Sequence, residues 1–201
     1  TGESRYLDAA RATADFILAE LTDEDGMFLS KPVPADPNVP TAVAPERDWQ
    51  DAPVRSSASV AAEALLTLAH LTDEERYASA ARRALDSVAG GVTRGYGPFF
   101  GGYALAVDTA VRGPRVIAVI GPDTKLASQA RRTYLPGAVV LAGSPDDAER
   151  QGWLETLGYA QAGGDADATT AYVCAGRECL QPAKPPAEFR ERIKQLRKMQ
   201  D

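Results

Sequence analysis

Residues 59–88, SVAAEALLTLAHLTDEERYASAARRALDSV, decide the fold of the N-terminal half. From 59 to 71 apolar residues occupy nearly every position, which predicts a helix that is buried on all sides. Thr72 and Glu75 match a capping box, so a second helix is predicted over 74–88 with Thr72 as its N-cap. In the second helix the apolar residues recur at i, i+3, i+4 and i+7 and form one stripe. The stretch therefore predicts a helical hairpin with a buried inner helix and an outer helix.

The start of the sequence repeats part of this hairpin. Residues 1–11, TGESRYLDAAR, resemble residues 72–82, TDEERYASAAR, and share Thr, Glu, Arg, Tyr, Ala, Ala and Arg at matching positions. A helix is predicted over 6–21, with one stripe formed by Tyr6, Ala10, Ala14, Ile17 and Leu21. Because the second copy follows an inner helix, we expect residue 1 to lie in the turn of a hairpin whose first helix precedes this sequence.

Two further segments complete the N-terminal part. Residues 31–55 contain six prolines and no apolar period, which predicts a long extended connection. Residues 99–111 predict one more helix, which Gly101 and Gly102 weaken.

The hydrophobic period then changes from helical to strand-like. Residues 115–120, RVIAVI, predict a buried strand, and residues 138–142 predict a second one. Residues 123–133 between them predict a helix with Leu126 and Ala130 facing inward. This order is typical of a parallel strand pair joined by a right-handed crossover.

The C-terminal segment adds three predicted elements. They are a short helix over 153–157, a third strand over 170–174 and a polar, basic helix over 186–199. The last helix has Phe189, Ile193 and Leu196 on one side.

The predicted fold is thus mostly α with a small α/β part. The predicted domains are helical hairpins over 1–111, a strand-helix-strand cap over 112–182 and a basic C-terminal helix or tail over 183–201.

Composition narrows the function classes. The chain has 201 residues and a formal net charge of −6, which argues against nucleic acid as a partner because phosphate binding needs clustered positive charge. No apolar run approaches the roughly 20 residues that span a bilayer, and no signal segment opens the sequence. With two cysteines the chain is not a disulfide scaffold, so a cytoplasmic location is expected.

Cys174 and Cys179 are the residues closest to a chemical motif. Their Cys-x4-Cys spacing differs from the Cys-x2-Cys of thioredoxins, and a short loop between them would bring the sulfurs across a hairpin. Three alternatives stay open: structural or buried thiols, a structural or labile disulfide, and a metal site. Zinc needs about four ligands, and the chain offers a single histidine, so no metal is expected.

The polar residues of the helical part offer weaker candidates. Glu63 interrupts an otherwise apolar helix, so it either faces a cavity or a partner or lies on an open face. Asp51 is a second carboxylate for acid/base work. His70 ends the inner helix, where a positive side chain suits the helix C-terminus better than a catalytic role does.

Four motifs together resemble the thioredoxin-domain-containing proteins of the spermatogenesis-associated, thioredoxin-like family. Asp51-Ala52 followed by residues 56–62 (SSASVAA) and Leu65 resembles that family's D-x-A-x-P-S-x-N-S-V-A-A-x-x-L signature, with Arg55 and Ala58 in place of its Pro and Asn. The other three motifs are residues 76–81 (RYASAA), 115–121 (RVIAVIG) and 172–182 (YVCAGRECLQP). Their order and spacing agree with the family from about residue 50 to residue 182.

The resemblance implies an upstream thioredoxin-like module and an α/α toroid similar to sugar epimerases and glycosidases. This chain would then hold helical hairpins from an incomplete toroid, followed by the α/β cap. The expected function is a non-catalytic or incomplete C-terminal domain without a cofactor. The alternative is a carbohydrate-active domain that acts through Asp51 and Glu63, with Ser56 and Ser59 as candidate substrate-binding residues. The upstream module and a small-molecule or sugar ligand are the expected partners.

Overall fold

The computed structural model describes residues 4–34, 36, 44–92, 97–144, 168–184 and 186–198. The fold is mostly α with a small α/β part, as predicted. The helices are α1 (Ser4–Glu20), α2 (Ser57–Thr72), α3 (Glu75–Val92), α4 (Gly101–Arg112), α5 (Thr124–Arg132) and α6 (Pro186–Lys198), with a 3-10 turn at Gly97–Phe100. The strands are β1 (Arg115–Ile120), β2 (Ala138–Gly143), β3 (Thr170–Ala175) and β4 (Glu178–Cys179).

The chain divides into two compact units. The helical unit comprises Asp8–Ala69 and Glu74–Val111. The sheet unit comprises Thr1–Leu7, His70–Asp73 and Arg112–Asp201.

The helices α2 and α3 confirm the predicted pair of helices. The prediction that α2 is buried on all sides was wrong, because Val60 is 46% exposed and Ala64 is exposed as well. The predicted stripe of α3 is buried in full, at Tyr77, Ala80, Ala81, Ala84, Leu85 and Val88, and Ala78 is buried in addition. The capping box was wrong, because Thr72 is the last residue of α2 and Asp73 turns the chain with a φ of 57°. An N-cap needs extended backbone, which a helical Thr72 does not have.

The predicted stripe of α1 was mostly wrong. Of its five residues only Ala14 is buried, Ile17 and Leu21 are half-buried, and Tyr6 and Ala10 are exposed. Its helical period is correct, but burial depends on which elements cover the helix and not on the period alone. In the Pro-rich connection, the described residues 31–34, 36 and 44–55 contain no helix, in agreement with the prediction.

The sheet has the strand order β2-β1-β3-β4. β1 and β2 are parallel, as predicted, with Arg115 opposite Ala138 and Ile120 opposite Gly143. The strands β1 and β3 are antiparallel, with Val116 opposite Cys174. The predicted short helix over 153–157 lies outside the described residues.

Both faces of the sheet are covered, which explains why its strands are apolar without alternation. On one face Ile117 and Val119 of β1 pack with residues of α5 and α6, among them Leu126 and Phe189. On the other face the core holds Leu71, Val116, Ala118, Leu141, Tyr172 and Cys174. The predicted inward residues Leu126, Ala130, Phe189, Ile193 and Leu196 are all buried.

Candidate functional site

Asp51 connects two helix N-termini of the helical unit. Its Oδ1 accepts the N–H of Ser56 at 2.9 Å, and its Oδ2 accepts the N–H of Gly102 at 2.6 Å. Ser56 immediately precedes α2 and Gly102 is the second residue of α4, so Asp51 satisfies N–H groups that have no partner inside either helix. A Cβ added at Gly102 would lie 2.7 Å from Asp51 Oδ1. Glycine therefore permits this close approach.

The surroundings of Asp51 favour the ionised carboxylate. Burial raises its pKa, but the hydrogen bonds from Ser56 and Gly102 and the charge of Arg55 outweigh burial and hold the pKa below its ordinary value. A general acid in glycoside hydrolysis needs a raised pKa. Asp51 is thus suited to binding N–H groups and not to donating a proton.

Ser56 and Ser59 form the N-cap of α2. The Ser56 hydroxyl donates to Ser59 Oγ at 2.6 Å and accepts the backbone N–H of Ser59 at 3.3 Å. This is the usual N-cap pattern, in which a serine oxygen accepts the N–H of the third helical residue. Both residues are buried: 2% of the surface of Ser56 and 0% of that of Ser59 are exposed. Neither hydroxyl is open to a substrate in this arrangement.

Glu63 has a partner, which was one of the predicted alternatives. Its Oε2 lies 2.7 Å from the Arg55 guanidinium, and the Glu63 side chain is 20% exposed. Arg55 also donates to the carbonyl oxygen of Gly102 at 3.4 Å.

The structure therefore brings the four helical candidates together around the start of α2. Asp51, Ser56 and Ser59 are joined by hydrogen bonds, and Arg55 links Glu63 to the same region. Sequence reasoning missed the roles of Arg55 and Gly102. The glycine pair at the start of α4 was interpreted only as a weakness of the helix. The available signal for Arg55 was a basic residue eight positions before Glu63, a carboxylate that needs a partner.

An aromatic cluster in the same unit was also missed. Trp49 is 4% exposed, stacks on Phe28 with ring centroids 6.4 Å apart and meets the edge of Tyr103 at 5.8 Å. Its indole N–H has no hydrogen-bond partner among the described residues. Trp49 lies within the Pro-rich connection and Phe28 shortly before it, where the sequence shows no period.

His70 belongs to the sheet unit and is half-buried. Burial lowers its pKa, the nearby Arg177 lowers it further, and Asp73 acts in the opposite direction with a smaller effect. His70 lies in the last turn of α2, as expected, but these surroundings favour its neutral form. A positive charge next to a half-buried imidazole disfavours its protonation.

Cys174 and Cys179 form a disulfide between β3 and β4. The two residues are directly opposite each other in the antiparallel pair, with Cα atoms 4.0 Å apart. Gly176 at the first loop position has a φ of 54°, which is typical of a two-residue hairpin turn with glycine in that place. Of the three alternatives that the spacing left open, the structure has the disulfide.

The described ranges contain no group of three or more His, Cys, Asp or Glu side chains placed to hold a metal ion. Within the same ranges, no helix combines the length and the apolar character needed to cross a membrane. No protein-family model and no curated protein sequence matches this chain.

Proposed function

We propose that this chain is a non-catalytic packing domain from the C-terminal part of a cytoplasmic protein of the spermatogenesis-associated, thioredoxin-like family. The proposal combines the four sequence motifs with the observed helical hairpins and α/β part. In this proposal the hairpins come from an incomplete α/α toroid, and an upstream thioredoxin-like module is the partner.

One observation carries the non-catalytic part of this proposal. Every polar candidate in the helical unit makes a hydrogen bond or ion pair with a neighbouring residue of the same unit. The partners of Asp51 are backbone N–H groups at the starts of two helices. Groups used in this way stabilise helix ends, and they are worth about 0.5–2 kcal/mol at an N-cap.

The alternative is a carbohydrate-active domain that uses Asp51 and Glu63. It rests on two carboxylates that interact with Arg55: Glu63 forms an ion pair with it, and its charge lowers the pKa of Asp51. The lowered pKa of Asp51 argues against it as a general acid, because that role needs a proton at neutral pH.

Calorimetric titration with monosaccharides and short oligosaccharides separates the two functions. We expect no saturable heat with the wild-type chain or with Glu63→Gln. The matched control is Glu75→Gln, an exposed carboxylate on α3 that is paired with Arg82. Binding by the wild type and by Glu75→Gln, but not by Glu63→Gln, would replace the packing proposal with the carbohydrate-active one.

Urea unfolding of the same variants tests the packing role directly. Glu63→Gln removes a partly buried ion pair and should lower the free energy of unfolding by up to about 1 kcal/mol. Glu75→Gln should change it less, because the Glu75 side chain is 73% exposed. Equal stability of all three proteins would contradict a packing role for Glu63.

A further inference from the structure

The disulfide closes a very short hairpin. Cys174 and Cys179 are five residues apart, and β4 consists of only two residues. Cross-linking a short loop removes little chain entropy from the unfolded state, so such a bond stabilises a fold less than one that closes a long loop.

Other contacts hold the hairpin in place. The Leu180 N–H donates to the carbonyl of Val173 at 2.9 Å, and the Gly176 N–H donates to the carbonyl of Pro114 at 2.9 Å. Arg177 in the turn lies 2.7 Å from the carboxylate of Asp73. Just beyond the hairpin, Ala171 and Ala183 exchange two backbone hydrogen bonds of 2.7 and 2.9 Å. These contacts do not require the sulfur–sulfur bond.

The two sulfur-bearing residues differ in access. Cys174 is 0% exposed and packs in the core with Val116, Leu141 and Tyr172. Cys179 is exposed on the edge strand β4. Thiol–disulfide exchange depends on which sulfur an incoming thiolate can reach, and here the accessible residue is Cys179.

We propose that Cys174–Cys179 is a redox-active pair that exchanges electrons with an external dithiol while the domain stays folded. A thiolate of the dithiol attacks Cys179 Sγ, the sulfur–sulfur bond breaks, and its electron pair passes to Cys174 Sγ, which takes up a proton. The second thiolate of the dithiol then attacks its own sulfur in the mixed disulfide and releases the Cys179 thiolate, which is protonated. The protein gains two electrons and two protons, and the dithiol becomes a disulfide.

Reduction of the folded full chain by dithiothreitol tests the proposal. The reaction is quenched by alkylation and followed by intact mass. Because the Cys174 thiol is buried, dithiothreitol is removed after reduction in native buffer and the alkylating agent is added in denaturant. We expect both cysteines to be labelled, and the reduced, unlabelled chain to keep its far-ultraviolet circular dichroism and a single cooperative thermal transition. A pair that is reduced only when urea unfolds the chain, or a reduced chain without cooperative unfolding, would show a structural bond and overturn the proposal.

The order of attack has its own test in two single variants. Cys174→Ser leaves the exposed thiol and Cys179→Ser leaves the buried one. With oxidised glutathione, whose reaction with a free Cys179 thiolate is the reverse of the proposed second step, Cys179 should form its mixed disulfide at least about tenfold faster than Cys174. Equal rates in two variants with the same circular dichroism spectrum would contradict attack at Cys179. These outcomes are independent of sugar binding, so failure here leaves the packing proposal standing.

Discussion

Helices α1 and α3 begin with the same Arg-Tyr pair but differ in burial. In α1 Arg5 lies 4.8 Å from the centre of the Tyr6 ring, and in α3 Arg76 lies 4.3 Å from the centre of the Tyr77 ring. Tyr77 is 0% exposed, whereas Tyr6 is 53% exposed. The local contact between arginine and tyrosine is thus the same in both helices, although their surroundings differ.

The difference extends along both helices. When Tyr6 is aligned with Tyr77, the seven buried positions of α3 correspond to apolar or small residues of α1, which are Tyr6, Leu7, Ala9, Ala10, Thr13, Ala14 and Ile17. Among them only Ala14 is buried. A similar pattern therefore encodes a helix with one apolar face in both places, and tertiary neighbours decide whether that face is covered.

Part of what covers Tyr77 comes from α1. The Tyr77 hydroxyl donates to Asp15 at 2.9 Å, and Arg76 lies 2.6 Å from the same carboxylate. Arg11 reaches Glu74 at 2.9 Å. In this pairing α1 supplies polar residues to a buried tyrosine of α3, while its own tyrosine faces solvent.

Alanine substitution of the two tyrosines should give the largest contrast. Tyr77→Ala removes a fully buried ring and should lower the free energy of unfolding by about 3–5 kcal/mol. Tyr6→Ala should change it by no more than about 0.5 kcal/mol. Urea unfolding followed by circular dichroism measures both. Tyr77→Phe is the matched control, because it keeps the ring and removes only the hydroxyl. Similar losses for Tyr6→Ala and Tyr77→Ala would refute the contrast.

Hydrogen exchange should show the same contrast without mutation. Opening a helix locally costs little free energy when few of its side chains are buried. The amides of α1 should therefore exchange through local openings. We expect the amides of residues 9–19 to exchange at least about tenfold faster than those of the buried stretch of α3, measured by mass spectrometry at neutral pH. Equal protection of the two helices would mean that α1 is held by contacts other than those described.

The same contrast explains how much of the fold could be predicted from sequence. The strand β1 and the inward residues of α5 and α6 were predicted correctly because their signals are local, a β-branched run and a helical period. The predicted stripe of α1 was mostly wrong because a helical period is a local signal, whereas burial requires a second element that covers the helix. The capping box at Thr72 failed because a continuing α2 took Thr72 into its last turn.

The contacts among the candidate residues were only partly predictable from the sequence. Glu63 was singled out correctly as a carboxylate that needs a partner. Asp51 accepts hydrogen bonds from Ser56 and from Gly102, and Gly102 lies 51 residues further along the chain. No local spacing encodes such a contact. The cysteine spacing indicated a hairpin, but the choice between thiols and a disulfide depended on a strand register that the sequence does not specify.

The smallest effect should be found in acid, at the contact that joins the two helices. The hydrogen bond from Arg76, followed by that from Tyr77, holds the pKa of Asp15 below its ordinary value of 3.8. A carboxyl group whose pKa is lower in the folded state contributes stability above its ordinary pKa, and this contribution is lost as the pH falls through the folded value. Urea unfolding at pH values from about 5 down to 2 should therefore show a larger loss for the wild type than for Asp15→Asn, which keeps only the acid-dependent contribution of other carboxylates such as Asp51. Asp86→Asn, at an exposed position of α3, should follow the wild type.

Parallel pH profiles for the wild type and Asp15→Asn would mean that the contact between α1 and Tyr77 does not depend on the charge of Asp15. In that case the polar residues of α1 would not explain why Tyr77 is buried while Tyr6 is exposed.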